Sequence, residues 1–222
     1  MLDAGDGLWL VVADVSEAKY GEAAIAAGLQ DLDWVSRRAV AHEAIVEQFL
    51  SAPAVLPAQL FTIFRSDERA LQHVRRDRRR IDRVLDRVEG HVEWGVRLTW
   101  DAEAARTAVR RARAARTPAS GADYLARRRD LLEGSRARFA AARREAARVF
   151  AELARLATDA VRRKNVEQAA PGSRLLLDAA YLVPAKRSAP FRAALRKREK
   201  QLRAAGLAVS LTGPWPAYHF VA

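Results

Sequence analysis

The residues with the clearest potential for metal chemistry are His42 and Glu43, the first two positions of a zinc-binding His-Glu-x-x-His pattern. That chemistry requires a second histidine four residues after the first, so that two imidazoles on one helix face bind the metal. Position 46 is a valine, so the second imidazole is missing. We therefore expect no metal site here and interpret His42 as a histidine that packs within its own helix.

Other catalytic arrangements are not visible in the sequence. His73, His91 and His219 are scattered over different predicted elements, and the chain has no cysteine, which excludes thiol nucleophiles and disulfides. Serine nucleophile elbows, phosphate loops and dinucleotide-binding fingerprints are absent. Acids on helices, such as Asp82 and Asp86, are interpreted as partners of nearby arginines. We expect no enzymatic activity and no cofactor.

The formal net charge of +12 is the most unusual property of the chain. Basic clusters occur at residues 75–80, 127–129 and 162–164, and they are compatible with a polyanion, an acidic partner or simple solvation. No recognised DNA-reading motif accompanies them, and aromatic residues are not interleaved as stacking platforms. A basic nucleic-acid-binding protein is the alternative function that these clusters leave open.

The chain is predicted to form two small domains that position any site. Its 222 residues are enough for two such domains, each with its own hydrophobic core. Asp3 and Asp6 stand where a secretion signal needs positive charge. No stretch approaches the roughly 18 to 20 consecutive apolar residues of a membrane span. We therefore expect a soluble or peripheral, cytoplasmic protein.

The first part, residues 1–90, is predicted to be an α+β domain. Its predicted elements are a strand over 7–13 buried on both faces, a helix over 31–52, a strand over 58–64 and a helix from Ser66 to Gly90. The two helices follow the apolar spacing of three and four residues that is typical of amphipathic helices. A domain boundary is predicted near residues 89–91.

The second part, residues 91–222, is predicted to be an antiparallel sheet covered on one face by helices, as in ferredoxin-like α+β domains. Residues 91–100 alternate apolar and polar side chains, which is typical of a half-buried strand. A helical insertion is predicted over about 101–165, as a short helix over 101–116 and a long one that continues to Asn165, with Gly134 as a potential break. The remaining predictions are a strand over 173–184, a helix over 189–205, a strand over 207–215 and an aromatic C-terminal tail.

Four segments together resemble the gas vesicle protein F/L (GvpL/GvpF) family. They are AHEAIVEQFL followed by AVLPAQLFTIF (41–64), GADYLARRR (121–129), LLLDAAYLVP (175–184) and TGPWPAYHFV (212–221). The last is similar to the family's terminal Gly-Pro-Trp-Pro signature and is the most specific of the four. The chain departs from the family where Phe61 and Thr62 follow Leu60, a position at which a glycine is common, and in its strong positive charge.

The resemblance implies a cytoplasmic, gas vesicle associated accessory protein of gas vesicle assembly that has no small-molecule substrate. It implies two α+β domains, the second a modified ferredoxin-like fold, and no catalysis. The implied partners are the small hydrophobic shell protein and other accessory proteins. Shell subunits that polymerise into a gas-facing wall expose apolar surface before assembly, so a shielding partner has a physical rationale.

The terminal motif provides the candidate interaction residues. Prolines 214 and 216 stiffen the segment, and large rings follow from it. Two interpretations stay open, namely that the segment packs on the protein's own N-terminal domain or that it is a binding patch for the shell protein. The candidate residues are Trp215, Pro216, Tyr218 and Phe220, with Tyr124 and Leu125 at the start of the long helix.

Overall fold

The computed structural model describes residues 1–101, 121–163 and 173–221, and of residues 121–128 and 131 it describes the backbone alone. The chain divides into two compact units. Unit 1 contains residues 1–90 and 215–222, and unit 2 contains residues 91–214. The combination of helices and antiparallel strands confirms the predicted α+β class. Residues 215–222 belong to the first unit, and the predicted domain boundary near residues 89–91 stays a prediction.

Unit 1 begins with a two-stranded ribbon that is followed by short and medium helices. Its described elements are β1 (Leu2–Asp3), β2 (Trp9–Leu10), α1 (Glu17–Tyr20), α2 (Glu22–Gly28), α3 (Leu32–Glu47), α4 (Asp67–Arg76), α5 (Arg78–Val88) and a 3-10 turn (Tyr218–Phe220). Leu2 pairs with Leu10 across the ribbon. The predicted burial of residues 7–13 on both faces was wrong, because Trp9 is 56% exposed and the strand pairs with β1 alone among the described strands.

Helix α3 confirms the predicted helix over 31–52, although it ends earlier. Asp31 caps its first turn, with the carboxylate accepting from the backbone N–H groups of Asp33 at 2.9 Å and Trp34 at 3.2 Å. The indole of Trp34 stacks on Phe61 with ring centroids 5.3 Å apart, and the guanidinium of Arg38 lies over the indole at 3.7 Å. These contacts attach α3 to the loop that contains Phe61.

The predicted strand over 58–64 is wrong. The backbone at Phe61 is left-handed (φ 66°), a conformation that a strand does not contain. Thr62 closes a turn by donating to the carbonyl oxygen of Gln59 through both its N–H and its hydroxyl. Phe61 contacts Trp34 and Phe64 contacts His73, so the aromatic residues anchor a loop to neighbouring helices.

The helix predicted from Ser66 to Gly90 is two helices. Ser66, where the predicted helix starts, caps α4 by accepting from the N–H of Arg69 at 3.4 Å. The chain leaves the helical conformation at Asp77, which separates α4 from α5. Gly90 follows α5 with a positive φ of 65°, the left-handed conformation that glycine adopts without steric cost.

Unit 2 contains, among its described residues, a four-stranded sheet and two long helices. The elements are β3 (His91–Asp101), α6 (Gly121–Ala154), β4 (Asp159–Arg162), β5 (Ser173–Pro184), a 3-10 turn (Ala185–Arg187), α7 (Ser188–Ala204) and β6 (Leu207–Trp215). The last residue of β6, Trp215, belongs to unit 1. The strand order in the sheet is β4-β5-β3-β6, with β5 antiparallel to both of its neighbours. The element order agrees with the β-α-β-β-α-β pattern, and the ferredoxin-like assignment stays a prediction.

The helices pack on one face of this sheet, as predicted. Alternate residues of β3 and β5 form the core with the inner faces of α6 and α7. The fully buried members from the sheet include Val96, Leu98, Tyr181 and Val183, and those from the helices include Val149, Leu153, Phe191 and Leu202. The rings of Tyr181 and Phe191 lie 5.3 Å apart at its centre.

Strand β4 was not predicted. The sequence suggested a helix that continues to Asn165, whereas α6 ends at Ala154 and runs through Gly134 without a break. Residues 159–162 instead pair with β5, and the N–H of Thr158 donates to the carbonyl oxygen of Leu182 at 2.8 Å. The helix predicted over 101–116 falls outside the described residues, apart from Asp101, which ends β3.

Candidate functional site

Exposed large apolar side chains concentrate in unit 1, and we call them the apolar surface. They are Met1, Trp9, Val11, Val12, Val15, Leu29, Leu32, Val40, Ile45 and Ile63. Among the described residues of unit 2, Leu132 is the one exposed side chain of this kind. Contiguous exposed apolar patches usually mark interaction sites, whereas isolated ones need no explanation.

Helix α3 contributes an uncharged patch to the apolar surface. Val40, Ala41, Ala44 and Ile45 are all exposed, and their spacing of one, three and four residues places them together on one side of the helix. The opposite side contains the half-buried Val35 and Ala39 and the buried Val46. A helix with apolar residues on two opposite faces usually packs against another element or a partner on each of them.

The ribbon positions the N-terminal part of the apolar surface. Arg78 of α5 anchors it by donating to the carbonyl oxygen of Gly5 at 3.0 Å, and it pairs with the carboxylates of Asp6 at 3.4 Å and Asp82 at 2.8 Å. One arginine of the predicted basic cluster at 75–80 therefore has an internal structural role. The chain after β2 continues with exposed valines at 11, 12 and 15.

The C-terminal segment, residues 215–222, combines buried and half-buried side chains within unit 1. Phe220 is 2% exposed and Pro216 is buried, whereas Trp215 and Tyr218 are half-buried. The backbone turns at Pro216, whose carbonyl oxygen accepts from the N–H of Tyr218 at 2.7 Å. The segment therefore packs as part of unit 1, and of its four candidate residues only Trp215 and Tyr218 retain substantial solvent exposure.

The remaining candidate residues lie on the helices α6 and α3. Tyr124 and Leu125 lie in the first turns of α6, and their side chains lie outside the described part of the chain. His42 and Glu43 are half-buried on α3. Over residues 1–101, 121–163 and 173–221, no group of three or more histidine or acidic side chains is placed to hold a metal ion.

A polar cluster that sequence reasoning missed lies on the sheet of unit 2, on the face opposite the helices. We call it the Asp178 cluster, and it consists of Arg97, Arg163 and Asp178. The Asp178 side chain is 1% exposed. Arg163 donates to its Oδ1 through Nε at 2.7 Å, and Arg97 donates to its Oδ2 through Nη2 at 3.2 Å. The register explains the contact, since Arg97 and Asp178 are direct partners across β3 and β5.

A sequence signal for this cluster existed. Asp178 is a single acid inside the apolar run LLLDAAYLV, and a buried charge requires a charged or hydrogen-bonding partner. Arg97 stands on the polar side of the alternating strand β3. Arg163 could not be identified in the same way, because β4 itself was interpreted as helix.

The cluster borders a cavity of about 140 Å³ on this face of the sheet. Its lining residues are Gly95, Arg97, Arg163, Ser210 and Thr212. A Cβ at Gly95 would collide with the Thr212 hydroxyl and would lie 3.2 Å from Nη2 of Arg163. A larger residue at this position would therefore force the Thr212 side chain to shift.

The positive charge of the chain resides in unit 2. That unit contains 27 of the 39 lysines and arginines and 12 of the 27 acidic residues, so unit 1 is slightly acidic. The exposed cations on the two helices include Arg129, Arg136, Arg143 and Arg144 of α6 and Arg196 and Lys200 of α7. Arg198 of α7 is used internally, because it pairs with Glu145 at 2.9 Å and Glu152 at 3.2 Å. Within the described ranges, no helix combines the length and the apolar character that crossing a membrane requires.

Comparison with known proteins gives consistent matches. The sequence profile described as "Gas vesicle synthesis protein GvpL/GvpF" matches residues 3–222. The chain is 33% identical over 226 residues to Gas vesicle protein L of Streptomyces sp. (strain CB03234), covering 99% of this chain and 82% of that protein. The crystal structure of GvpF from Anabaena sp. PCC7120 is similar with a TM-score of 0.62 at 16% identity, covering 84% of this chain and 78% of that one. GvpF from Microcystis aeruginosa gives a TM-score of 0.58 at 17% identity with the same coverage.

Proposed function

Because the chain belongs to the gas vesicle GvpL/GvpF family, we propose that it acts in gas vesicle assembly by binding the hydrophobic shell protein through the apolar surface of unit 1. The proposed role is that of a non-enzymatic accessory protein, associated with gas vesicles in the cytoplasm and in contact with other accessory proteins. The shell protein is the proposed occupant because a subunit that polymerises into a gas-facing wall must present apolar surface.

The observation that supports this proposal is the uncharged patch of α3 at Val40, Ala41, Ala44 and Ile45. Its position is fixed, because the other side of the helix contains the half-buried Val35 and Ala39 and the buried Val46. A rigid patch of this kind binds an apolar partner without a further cost for ordering side chains. The exposed valines after β2 extend the apolar area on the same unit.

We propose two different roles for the C-terminal segment. Trp215 and Tyr218 contribute ring surface to the partner contact, since both remain half-buried. Pro216 and Phe220 hold the segment on unit 1 through their burial. A contribution of Tyr124 and Leu125 at the start of α6 stays a prediction.

The proposal is tested by capture of the purified shell subunit on the immobilised full chain. Val40→Glu and Ile45→Glu place a carboxylate in the α3 patch at two exposed positions, away from the buried Val46. We expect each to weaken capture at least tenfold, because a buried, unpaired charge is strongly disfavoured in an apolar contact. Circular dichroism establishes that each variant is folded.

Leu132→Glu is the matched control, since Leu132 is an exposed apolar residue of unit 2. It should bind the shell subunit like the unchanged chain. Absence of capture by the unchanged chain, or equal weakening by Leu132→Glu and Val40→Glu, contradicts the proposed surface. Electron microscopy of cells that carry each variant in place of the chain then tests whether vesicle formation follows the same order.

Nucleic-acid binding is the second candidate, and the concentration of cations on α6 and α7 favours it. Such binding would use phosphate contacts, whose affinity falls steeply with salt. A titration with duplex DNA at near-physiological salt decides the question, with Arg136→Gln/Arg143→Gln as the variant. Retention that is absent at that salt, or unaffected by the double substitution, rejects this candidate.

A further inference from the structure

We propose that the edge of β2 that faces away from β1 binds an extended segment of apolar and basic residues by β-strand addition. We call this edge, over residues 9–13, the free edge. In strand addition a partner pairs its backbone with an unpaired strand edge, while its side chains contact the faces of the sheet. Trp9, Val11 and Val12 also belong to the apolar surface, so the inference rests on the proposed function and adds the form and charge of the segment that binds there.

The pairing pattern of the ribbon identifies the free edge. The N–H of Ala4 donates to the carbonyl oxygen of Leu8 at 2.9 Å. The next pair in the register, Asp3 and Trp9, is therefore one whose own N–H and C=O groups point away from the partner strand. Residues 11–15 continue from β2 without a helix or a turn, and their backbone groups make no hydrogen bond within the described part of the chain.

The residue types of this segment favour strand pairing that the described chain does not complete. Residues 8–13, Leu-Trp-Leu-Val-Val-Ala, are uncharged and include aromatic and β-branched residues. Among the described strands, β2 pairs with β1 alone, over Trp9 and Leu10. Proteins usually protect an exposed edge of this kind with lysine, proline or a bulge, because it is a template for added strands. Residues 8–13 contain neither lysine nor proline.

The two faces of the ribbon differ in exposure. Trp9 is 56% exposed and Val11 is 43% exposed, and their spacing of two residues places them on the same face. Ala4 and Leu10 lie on the other face, where Ala4 is buried and Leu10 is half-buried. The ribbon therefore packs through one face and offers apolar side chains beside the free edge on the other.

The charge around the free edge favours a basic occupant. Residues 1–18 contain neither lysine nor arginine but four exposed acids, namely Asp3, Asp6, Asp14 and Glu17. Arg78 pairs with Asp6, whereas Asp14 and Glu17 form no ion pair with any described residue. The same segment of a second copy would bring like charges together across the strands, which is destabilising. The complementary occupant is an extended segment in which apolar residues alternate with lysine or arginine.

The test is a titration of the full chain with a labelled, capped eight-residue peptide of alternating lysine and valine, followed by fluorescence anisotropy at near-physiological salt. We expect saturable binding, and at least tenfold weaker binding when glutamate replaces lysine in the peptide. At saturation the amide hydrogens of Trp9 and Val11 should exchange at least tenfold more slowly, because they gain acceptors. The amide of Leu10 should change less, since it already faces β1.

A peptide of the same sequence that is N-methylated along both edges separates strand addition from simple charge attraction. It keeps every lysine but loses the backbone donors, so we expect at least tenfold weaker binding. Binding equal to that of the unmethylated peptide overturns the proposal. Equal binding of the lysine and glutamate peptides overturns it as well.

Val11→Pro is the main variant, because it removes one N–H from the free edge. It should weaken peptide binding at least tenfold. Val12→Pro is the matched control, since the N–H of the next residue lies on the other side of the strand, and it should bind like the unchanged chain. If Val11→Pro does not fold, Asp14→Lys keeps the test informative. At this exposed position it should weaken binding of the lysine peptide severalfold and strengthen binding of the glutamate peptide.

Three further results overturn the proposal. They are the absence of saturable binding up to millimolar peptide, equal binding by Val11→Pro and Val12→Pro, and sedimentation of the full chain as a dimer that Val11→Pro dissociates, which would make a second copy the occupant. Failure of the proposed function is distinguishable. Capture of the shell subunit without peptide binding overturns strand addition alone, whereas peptide binding that Val11→Pro abolishes, without shell capture, supports the free edge and rejects the shell subunit as partner.

Discussion

Arg163 and Asp178 are joined through both backbone and side chain. The N–H of Arg163 donates to the carbonyl oxygen of Asp178 at 2.8 Å, and its Nε donates to the carboxylate at 2.7 Å. Since Arg163 directly follows β4, this pair attaches the edge of the sheet to β5. The contact combines a regular strand interaction with a charge-assisted one, which is the stronger kind of hydrogen bond.

We expect Asp178→Asn to lower the free energy of unfolding of unit 2 by about 2 kcal/mol. Breaking a buried ion pair costs ~3–5 kcal/mol, and the partial exposure of both arginines reduces that figure. Hydrogen exchange of the β5 amides measures the change in unit 2 alone. Asp130→Asn, at an exposed acid of α6, should change the same quantity by less than ~0.5 kcal/mol. Equal effects of the two substitutions would show that the cluster adds no stability.

Gly95→Ala should destabilise unit 2 by ~1–3 kcal/mol, because the new methyl group collides with the Thr212 hydroxyl. Thr212→Ala removes that oxygen, so the double variant should be more stable than the sum of the single changes predicts. A double-mutant cycle on urea unfolding measures this coupling, for which we expect about 1 kcal/mol. Strict additivity of the two substitutions would refute the close contact.

Tyr181→Phe should be neutral or stabilise unit 2 by about 1 kcal/mol. The ring is fully buried, and among the described residues its hydroxyl has no hydrogen-bond partner, an arrangement that costs ~1–3 kcal/mol. Urea unfolding of the two proteins at neutral pH measures the difference. A loss of more than ~1 kcal/mol on removing the hydroxyl indicates that it makes a favourable contact.

The same side chain predicts a dependence of stability on alkaline pH. Burial raises the pKa of Tyr181, and the positive charge of Arg162 opposes this only in part. The unfolded chain therefore releases the phenolic proton first, so the contribution of Tyr181 to stability is present below pH ~10 and decreases as the pH rises above it. Urea unfolding between neutral and pH ~11 should show a steeper decrease for the unchanged chain than for Tyr181→Phe. Parallel curves argue against the shifted pKa.

Phe220→Ala should destabilise unit 1 by ~3–5 kcal/mol, the usual cost of emptying a buried aromatic site. Leu29→Ala, at an exposed position of the same unit, is the control and should change stability by less than ~0.5 kcal/mol. Hydrogen exchange in α4 and α5 reports on both variants. A small effect of Phe220→Ala would mean that the C-terminal segment is not part of the folded core of unit 1.

The elements that could be predicted from sequence are those whose pattern is local. Strand β3 shows strict alternation that ends at Trp100, α7 ends before Gly206 as predicted, and β5 is an apolar run that only Asp178 interrupts after Arg174. Asp31 and Ser66 were recognisable as helix starts because capping depends on residues within one turn. The α+β class followed from these elements.

What could not be predicted depends on contacts between distant residues. Residues 159–162 have a weak intrinsic preference for the strand conformation, since only Val161 is β-branched. They form β4 because they pair with the edge of β5. Phe61 appeared suited to a strand, but its stacking on Trp34 outweighs that preference. The Asp178 cluster brings together residues of β3 and β5 with Arg163, which directly follows β4, and β4 was not identified from the sequence. The apolar surface could not be predicted either, because the sequence alone does not show which face of α3 is buried.

The grouping of residues 215–222 with residues 1–90 affects how the protein is made. Ala217 and Phe220, which are buried in unit 1, leave the ribosome only after all of unit 2 has been translated. At roughly 5–20 residues per second, that delay is on the order of ten seconds. During this time the nascent first unit lacks two of its core side chains, which makes it a natural client for chaperones until the last segment arrives.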